Sequence, residues 1–472
     1  MLRALYREFK CRLRKMTSVG VRSAAKFPQS PYHDNYPAGY RNLFSACAWA
    51  YVLLRFCLVP ENRMRIAGRL LYLLLAVTGL NAADRSGSDL KTLFEAHDWF
   101  KLRRLADSLD VGDFHKGEVA CAFHDIRGAE RYFRRVIASG DTKLALDAHG
   151  QLAYMYMRTG QHRKTYEHLS AMQRLNPEFS GLKGALALFS ALSQYHELSV
   201  RRRRVSRIRM TEDFLIPVSV NGNSVSYGFD TGANLSMMSE AEAVRLGMRI
   251  HEASGSEFHD GASGNTVPIR FVVVERLTIG GFELQNAVFS IMPDTALPFR
   301  EMSAGKQGIL GLPALLALES IGWDGDRMLQ IGYPSAHRQA PNLCFDAAMP
   351  VVEAFYAGQS ISAWLDTGSS RTYLTRRFLR DFRDAAVESS SKHRVALGGV
   401  GGRTDVDAVQ IPEVKFAVGG SDIMLRPADV LLEQQNVDRN SYHVWLGMDL
   451  LVGRRVVIDF RSMTVSVGPA AN

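Results

Sequence analysis

Cysteine is scarce in this chain of 472 residues, and the few cysteines show no pattern. They form no Cys-x-x-Cys pair and no metal-ligand spacing, so no disulfide framework is predicted. The chain also lacks a phosphate-binding loop and a nucleophile elbow, and His251-Glu252 has no second histidine to complete a zinc helix. The sequence therefore predicts neither a metal nor a cofactor. The five cysteines are Cys11, Cys47, Cys57, Cys121 and Cys344.

Acidic residues are scarce only at the start of the chain. Residues 1–83 hold 13 Lys and Arg against 3 Asp and Glu, whereas residues 84–472 hold 44 against 45. The net charge of +9 is thus an N-terminal feature, and it predicts no nucleic-acid partner for the rest of the chain. The run Arg201–Arg204 is a local exception that we interpret as a solvated linker or helix end.

Long hydrophobic runs are confined to the same N-terminal part. Met64–Asp84 has a basic start, an apolar stretch too short to span a bilayer comfortably and small residues before Asp84, which is the layout of a secretory signal peptide. Residues 64–83 therefore predict export to the periplasm or the medium. Translation would then begin at Met64, and residues 1–63 would be a mis-called extension. The alternative is a membrane anchor formed by Phe44–Val59 and Leu70–Leu80.

Residues 88–200 read as a helical region, because apolar residues recur every three or four positions and proline is absent until Pro177. His149–Pro177 resembles a tetratricopeptide repeat, with a weaker match about 36 residues earlier. The resemblance implies a helical array that binds a protein partner; a generic helical bundle is the alternative. The residues that carry it are Leu152, Ala153, Tyr156, Gly160, Leu169 and Pro177, then Ala129, Phe133 and Val136.

From about Thr211 the chain becomes rich in glycine and in alternating β-branched residues, and it repeats itself after 136 residues. The tripeptide Asp-Thr-Gly occurs at Asp230 and again at Asp366. Asn221-Gly222 predicts a hairpin turn before the first copy, and Gly358 lies at the same offset before the second. Each copy is followed 81 residues later by an apolar-apolar-Gly stretch. Two copies with shared landmarks indicate two similar units.

This arrangement resembles the aspartic proteases, with two small lobes of the retroviral type in one chain, at residues 211–335 and 343–468. The resemblance implies an all-β, two-lobed fold after the helical region. It also implies that Asp230 and Asp366 are the catalytic acids. The residues matching the supporting positions are Thr231, Gly232, Thr367 and Gly368, and those in the glycine-rich segments matching the substrate-covering flaps are Gly261, Gly264, Gly399 and Gly401.

Paired carboxylates suit peptide hydrolysis, because like charges held close share one proton and so supply both a general base and a general acid. The threonine hydroxyls can lock the two turns together, and glycine leaves room for close backbone approach. The Ser369 hydroxyl can donate to Asp366, whereas Ala233 offers no donor to Asp230. We therefore expect Asp366 to be the stabilised anion and Asp230 to carry the proton.

The sequence thus predicts an exported aspartic endopeptidase that hydrolyses an extended peptide with an activated water. The alternative is a non-catalytic protein that binds peptides in the same cleft, with the helical repeats as a partner platform. The presence of both acids favours the enzyme. A membrane-anchored scaffold is a third hypothesis, based on the N-terminus alone.

Overall fold

The computed structural model describes residues 90–108, 111–259, 266–334, 340–383, 392–399, 402–432 and 442–470. The predicted signal segment and the extension before it lie outside these residues, so export stays a prediction. In the described part of the chain, no helix combines the length and apolar character needed to cross a bilayer.

An α-helical region precedes the strands, as predicted, and occupies residues 90–192. Residues 90–95 form a first helical segment. The helices that follow are α1 Trp99–Ser108, α2 Asp113–Ala122, α3 Ile126–Ala138, α4 Thr142–Arg158, α5 His162–Leu175 and α6 Lys183–Leu192.

Side-chain caps and a glycine turn set the limits of these helices. Asp125 caps α3 by accepting from the Gly128 N–H, and Asp141 caps α4 by accepting from two N–H groups of its first turn. Gly160 has a φ of +70° in the turn between α4 and α5, which favours glycine. Phe133 and Tyr156, singled out in the sequence, are buried between the helices. The tetratricopeptide assignment itself stays a prediction.

Residues 199–470 are rich in β-strand, and we refer to 199–334 as the first half and 340–470 as the second half. The first half contains β1 Ser199–Arg202, β2 Ser206–Arg209, β3 Ile216–Val220, β4 Asn223–Phe229, β5 Ser236–Ser239, α7 Glu240–Arg245, β6 His251–His259, β7 Thr266–Val274, β8 Leu277–Ile279, β9 Phe282–Gln285, β10 Ala287–Met292, β11 Gly308–Leu310, α8 Leu312–Ala317, β12 Ser320–Trp323 and β13 Met328–Ile331.

The second half adds twelve strands and one helix to the described residues. They are β14 Leu343–Asp346, β15 Met349–Tyr356, β16 Gln359–Leu365, β17 Tyr373–Leu374, α9 Arg376–Asp381, β18 His393–Gly399, β19 Gly402–Ile411, β20 Val414–Val418, β21 Ser421–Leu425, β22 Ala428–Leu431, β23 Val444–Leu446, β24 Arg454–Asp459 and β25 Thr464–Ala470.

The interpretation of Arg201–Arg204 as a linker or helix end is wrong in part. The first two arginines belong to β1, which pairs antiparallel with β9 at the edge of a sheet. All four arginines are exposed, as the charge pattern indicated. The strand-rich part therefore begins at Ser199, earlier than the predicted start at Thr211, because pairing with β9 satisfies the backbone of this charged segment.

Two curled sheets follow the same strand order, consistent with the predicted two-lobed protease fold. The first runs β1-β9-β8-β3-β4-β11-β5-β10-β7-β6, and the second runs β21-β20-β15-β16-β23-β17-β22-β19-β18, with β14 paired to β15. Parallel pairing sets Ile309 opposite Gly228 in the first sheet and Trp445 opposite Trp364 in the second. Each residue of the second pair is 136 positions after its counterpart in the first.

Hairpin turns before the two Asp-Thr-Gly copies also correspond. Asn221 and Gly222 join β3 to β4 with φ of 48° and 93°, and Ala357 and Gly358 join β15 to β16 with φ of 48° and 76°. Two successive residues with positive φ fit the tight turns that connect two-residue hairpins. The predicted hairpin at Asn221-Gly222 is confirmed.

A third sheet takes strands from both halves, in the order β2-β13-β12-β24-β25. Its central pair is antiparallel and sets Ser320 opposite Asp459 and Trp323 opposite Val456. The main hydrophobic cluster extends across both halves as well and includes Phe229 and Leu365. The halves therefore share a core as well as a sheet.

Candidate active site

Each Asp-Thr-Gly copy forms a turn at the end of a buried strand. Phe229 ends β4 and Leu365 ends β16, and both side chains are anchored in the shared core. The next residue in each copy continues the parallel pairing for one bond. The Asp230 N–H donates to the Leu310 carbonyl at 2.9 Å, and the Asp366 N–H donates to the Leu446 carbonyl at 3.0 Å. The strands thus fix the backbone position of each aspartate.

The two turns are joined by reciprocal hydrogen bonds between their threonines. The Thr231 hydroxyl donates to the Leu365 carbonyl at 2.6 Å and accepts from the Thr367 N–H at 3.1 Å. The Thr367 hydroxyl donates to the Phe229 carbonyl at 3.2 Å and accepts from the Thr231 N–H at 3.0 Å. The two carbonyls and the two N–H groups in these bonds are buried, so each threonine hydroxyl satisfies one backbone donor and one backbone acceptor that would otherwise be unpaired.

Glycine at the third position of each turn lets the two carboxyls approach. The Gly232 N–H donates to Asp230 Oδ1 at 2.7 Å, and the Gly368 N–H donates to Asp366 Oδ1 at 3.0 Å. A Cβ on Gly232 would lie 2.9 Å from Asp366 Oδ1, and a Cβ on Gly368 would overlap the Asp230 carboxyl. Each glycine thus faces the aspartate of the opposite turn, and no larger residue fits.

The surroundings of Asp230 disfavour its charged form. Burial and the neighbouring Asp366 carboxyl raise the pKa of Asp230 well above its ordinary value. Backbone N–H groups of Gly232 and Gly368 act in the opposite direction, because they donate to the carboxylate. The geometry therefore favours a protonated Asp230 beside a second carboxyl.

Ser369 does not act as the sequence predicted. Its hydroxyl donates to the Arg371 carbonyl at 2.7 Å, and only its backbone N–H reaches Asp366, with Oδ1 accepting at 3.1 Å. The backbone of this turn brings the hydroxyl to a nearer carbonyl. The Trp445 indole does provide a side-chain donor to Asp366, with Nε1 2.6 Å from Oδ2. Sequence reasoning missed this residue, although it lies in the apolar-apolar-Gly stretch identified above.

The glycines assigned to the two flaps are only partly within the described residues. Gly399 ends β18 and pairs with Gly402, which begins β19, at the tip of a hairpin. Gly261 and Gly264, between β6 and β7, and Gly401 lie outside the described residues. A substrate-covering role for these hairpins stays a prediction.

The helical region packs against both halves. Helix α6 contacts β6, and the Tyr195 hydroxyl lies 2.9 Å from His251 Nδ1 on that strand. On the second half, the Arg377 guanidinium donates to Asp98 at 2.7 Å and to the Ala96 carbonyl at 2.8 Å. His251 thus takes part in the packing of the helical region on the first half.

A family model described as aspartyl protease matches residues 216–314, from β3 to α8. The match includes the first Asp-Thr-Gly copy and Gly311, and it ends before the second half. No curated protein matches the chain. The first half is thus similar to the aspartyl protease family over this segment, which supports a protease-like function.

Proposed function

We propose that the protein is an aspartic endopeptidase in which Asp230 and Asp366 act as one pair. The reciprocal threonine hydrogen bonds carry this proposal, because they hold the two acid-bearing turns in contact. The raised pKa of Asp230 and the backbone donors to Asp366 support a pair that shares one proton. Such a pair titrates as a unit.

The proton inventory of hydrolysis follows from that arrangement. Ionised Asp366 takes a proton from water as the water oxygen bonds to the peptide carbonyl carbon, while Asp230 gives its proton to the carbonyl oxygen. The resulting diol then collapses: the C–N bond breaks, the amine nitrogen takes the proton from Asp366, and a diol hydroxyl returns one to Asp230. Both carboxyls end in their starting states.

An extended peptide is the substrate class that this fold accommodates, since the glycine-tipped hairpin β18–β19 and the hairpin β6–β7 belong to the outer ends of the two sheets. The helical region packs on β6 and on the second half, so it is a platform for a protein partner or for a long substrate. Peptide binding without hydrolysis is the alternative, and the experiment below distinguishes the two.

The test compares the wild-type chain with Asp230→Asn and Asp366→Asn in digestion of a peptide library across pH. Each variant should lose more than about a thousandfold of the cleavage rate, because each removes half of a unit that works only as a pair. Peptide binding, measured by fluorescence anisotropy, should survive in both. A wild type that binds peptides without cleaving them would establish the alternative, and a folded variant with substantial activity would exclude the paired mechanism.

The Asp230→Asn variant also provides a folding control, because the direction of its effect on stability at neutral pH can be predicted. The pKa of Asp230 is raised in the folded state, so its contribution to stability is present in acid and is lost as the pH rises through the folded-state value. Asp230→Asn removes that loss. The variant should therefore unfold at a higher urea concentration than the wild type at neutral pH, and the difference should shrink in acid.

A further inference from the structure

Trp445 contacts Asp366 through its only polar atom. The indole Nε1–H donates to Asp366 Oδ2 at 2.6 Å, and both side chains are buried. The Oδ1 atom accepts from the N–H groups of Gly368 and Ser369. Three N–H groups of the described residues thus donate to the two carboxylate oxygens, and none of these three groups can accept a proton in return.

The indole is held in place by other aromatic rings. Trp445 stacks on Trp364 with centroids 5.0 Å apart and planes inclined by 21°, and the Tyr373 ring lies 5.8 Å away. Strand β23 fixes the backbone of Trp445 between β16 and β17. The donor is therefore positioned before any substrate arrives.

Among the described residues of the first half, the position equivalent to Trp445 holds no hydrogen-bond donor. Ile309 occupies the position of Trp445, 136 residues earlier and with the same pairing in its sheet, and it packs with Ala233 and Met237 in an apolar cluster. The described side chains around Asp230 therefore differ from those around Asp366 in hydrogen-bonding capacity, although the two turns correspond residue for residue.

We propose that Trp445 is a positioning residue that keeps Asp366 ionised through its indole N–H and so assigns the shared proton to Asp230. The ionisation state rests on geometry alone, whereas its catalytic consequence rests on the proposed function. Hydrogen bonds to a charged acceptor favour the charged form, so the indole lowers the pH at which Asp366 takes up a proton.

The indole and the Asp366 carboxyl also have titratable neighbours. Asp230 faces Asp366 directly and disfavours its charge. Burial raises the pKa of Tyr373, so this ring stays neutral in acid and at neutral pH. Arg371, Asp429 and Asp449 act on Tyr373 from the neighbouring segments, and their charges are of mixed sign.

The experiment measures the ionisation of Asp366 without relying on activity. In an Asp230→Asn background the pair is reduced to one carboxyl, so the titration of ¹³C-labelled aspartate belongs to a single site. It is assigned by its disappearance in the Asp230→Asn, Asp366→Asn double variant. Trp445→Phe removes the N–H and keeps an aromatic ring, and Trp364→Phe is the matched control from the same stack.

Trp445→Phe should raise the titration midpoint of Asp366 by about one to two pH units, because the free energy of a hydrogen bond to a charged group corresponds to a pKa shift of that size. Trp364→Phe should leave the midpoint in place. With both aspartates present, the acid limb of the pH–rate profile should move to higher pH in Trp445→Phe. An unchanged midpoint in folded Trp445→Phe, checked by near-ultraviolet circular dichroism, would overturn the proposal.

Trp445 can also be replaced by β-(3-benzothienyl)alanine, which keeps both rings and exchanges the N–H for sulfur. This variant should reproduce the shift if Trp445→Phe does not fold, and an unshifted midpoint here would also reject the proposal. A shifted midpoint in a protein that cleaves no peptide would reject the proposed function while retaining the role of the indole.

Discussion

The two halves of the β-rich region share their strand order but differ in what covers the face next to the acids. In the first half, Met237 and Ile309 belong to a small apolar cluster made of first-half residues. In the second half, the corresponding Tyr373 and Trp445 belong to a larger cluster that also contains residues of the helical region. Those helical residues include Leu90, Trp99, Phe100 and Leu102.

The comparison separates the side chains that both halves need for the shared core from those that differ between the halves. Residues whose side chains enter the shared core are similar in the two halves, such as Phe229 and Leu365 or Leu310 and Leu446. Their immediate neighbours point to the opposite face, because side chains alternate along a strand. The acids keep the same backbone support in both halves, and the asymmetry is carried by side chains on that opposite face.

The threonine hydrogen bonds are the most symmetric feature, and breaking them should give the largest effect on stability. Thr231→Val leaves the Leu365 carbonyl and the Thr367 N–H buried without partners, at a cost of about 1–3 kcal/mol each. The free energy of unfolding, measured in urea, should fall by about 2–6 kcal/mol. Thr367→Val should cost about as much.

Thr231→Ser and Thr367→Ser serve as controls, because each keeps the hydroxyl and loses one methyl group. They should lose about 1 kcal/mol or less. A Val variant no less stable than its Ser counterpart, in either half, would show that these hydrogen bonds do not hold the turns together.

A smaller effect is expected at Arg377, where the halves diverge. This buried side chain donates to Asp98 and to the Ala96 carbonyl, whereas the equivalent position in α7 is the exposed Ala241. Arg377→Leu should destabilise the chain by about 1–3 kcal/mol, because it removes the buried guanidinium from Asp98 and from the Ala96 carbonyl. Asp98 keeps the Lys101 ammonium at 3.3 Å, which limits the loss. Urea unfolding of the full chain measures the loss.

Ala241→Ser is the matched first-half variant and should change the stability by less than about 0.5 kcal/mol. A double-mutant cycle with Asp98→Ala isolates the ion pair from the lost packing. A coupling energy near zero would mean that this ion pair does not help to hold the helical region on the second half.

The smallest effect at neutral pH is expected at His443, whose first-half counterpart is Gln307. Burial, followed by the charge of Arg377, lowers the pKa of His443 to about 4. An unfolded histidine takes up a proton below about pH 6.5. The folded protein therefore loses stability as the pH falls from about 6.5 to 4, by about 1 kcal/mol per pH unit.

His443→Gln copies the first half and cannot titrate. Its oxygen can still accept the Ser362 N–H, which His443 Nδ1 accepts at 3.1 Å. The variant should match the wild type at pH 7.5 and show a flatter loss of stability in acid, measured by urea unfolding at a series of pH values. Parallel curves for the two proteins would contradict the assignment.

Local signals in the sequence predicted a large part of this fold. The Asn221-Gly222 turn and the helical periodicity of residues 88–200 depend on neighbours along the chain, and the 136-residue repeat depends on residue type. They predicted the hairpin, the helical region and the strand-rich region after it without knowledge of long-range contacts. The threonine contacts could be anticipated because both copies carry the same short motif.

The remaining features depend on contacts between distant segments. The sequence position of Ser369 predicts a side-chain donor to Asp366, but its hydroxyl donates to the Arg371 carbonyl instead. Trp445 lies 79 residues beyond the acid it contacts, so only the sheet pairing brings them together. The charged run at Arg201 forms an edge strand for the same reason: its partner β9 is remote in sequence.

The pairing of β12 with β24 affects how the site responds to protein concentration and how independently the two halves can change in sequence. Because both strands belong to one polypeptide, the closing of the halves is a unimolecular step, and the integrity of the site should not decline on dilution as it would for separate subunits. A single chain also allows one half to change alone. In a pair of identical subunits, a tryptophan at the position of Trp445 would appear beside both carboxyls, whereas here Ile309 can remain in the other half.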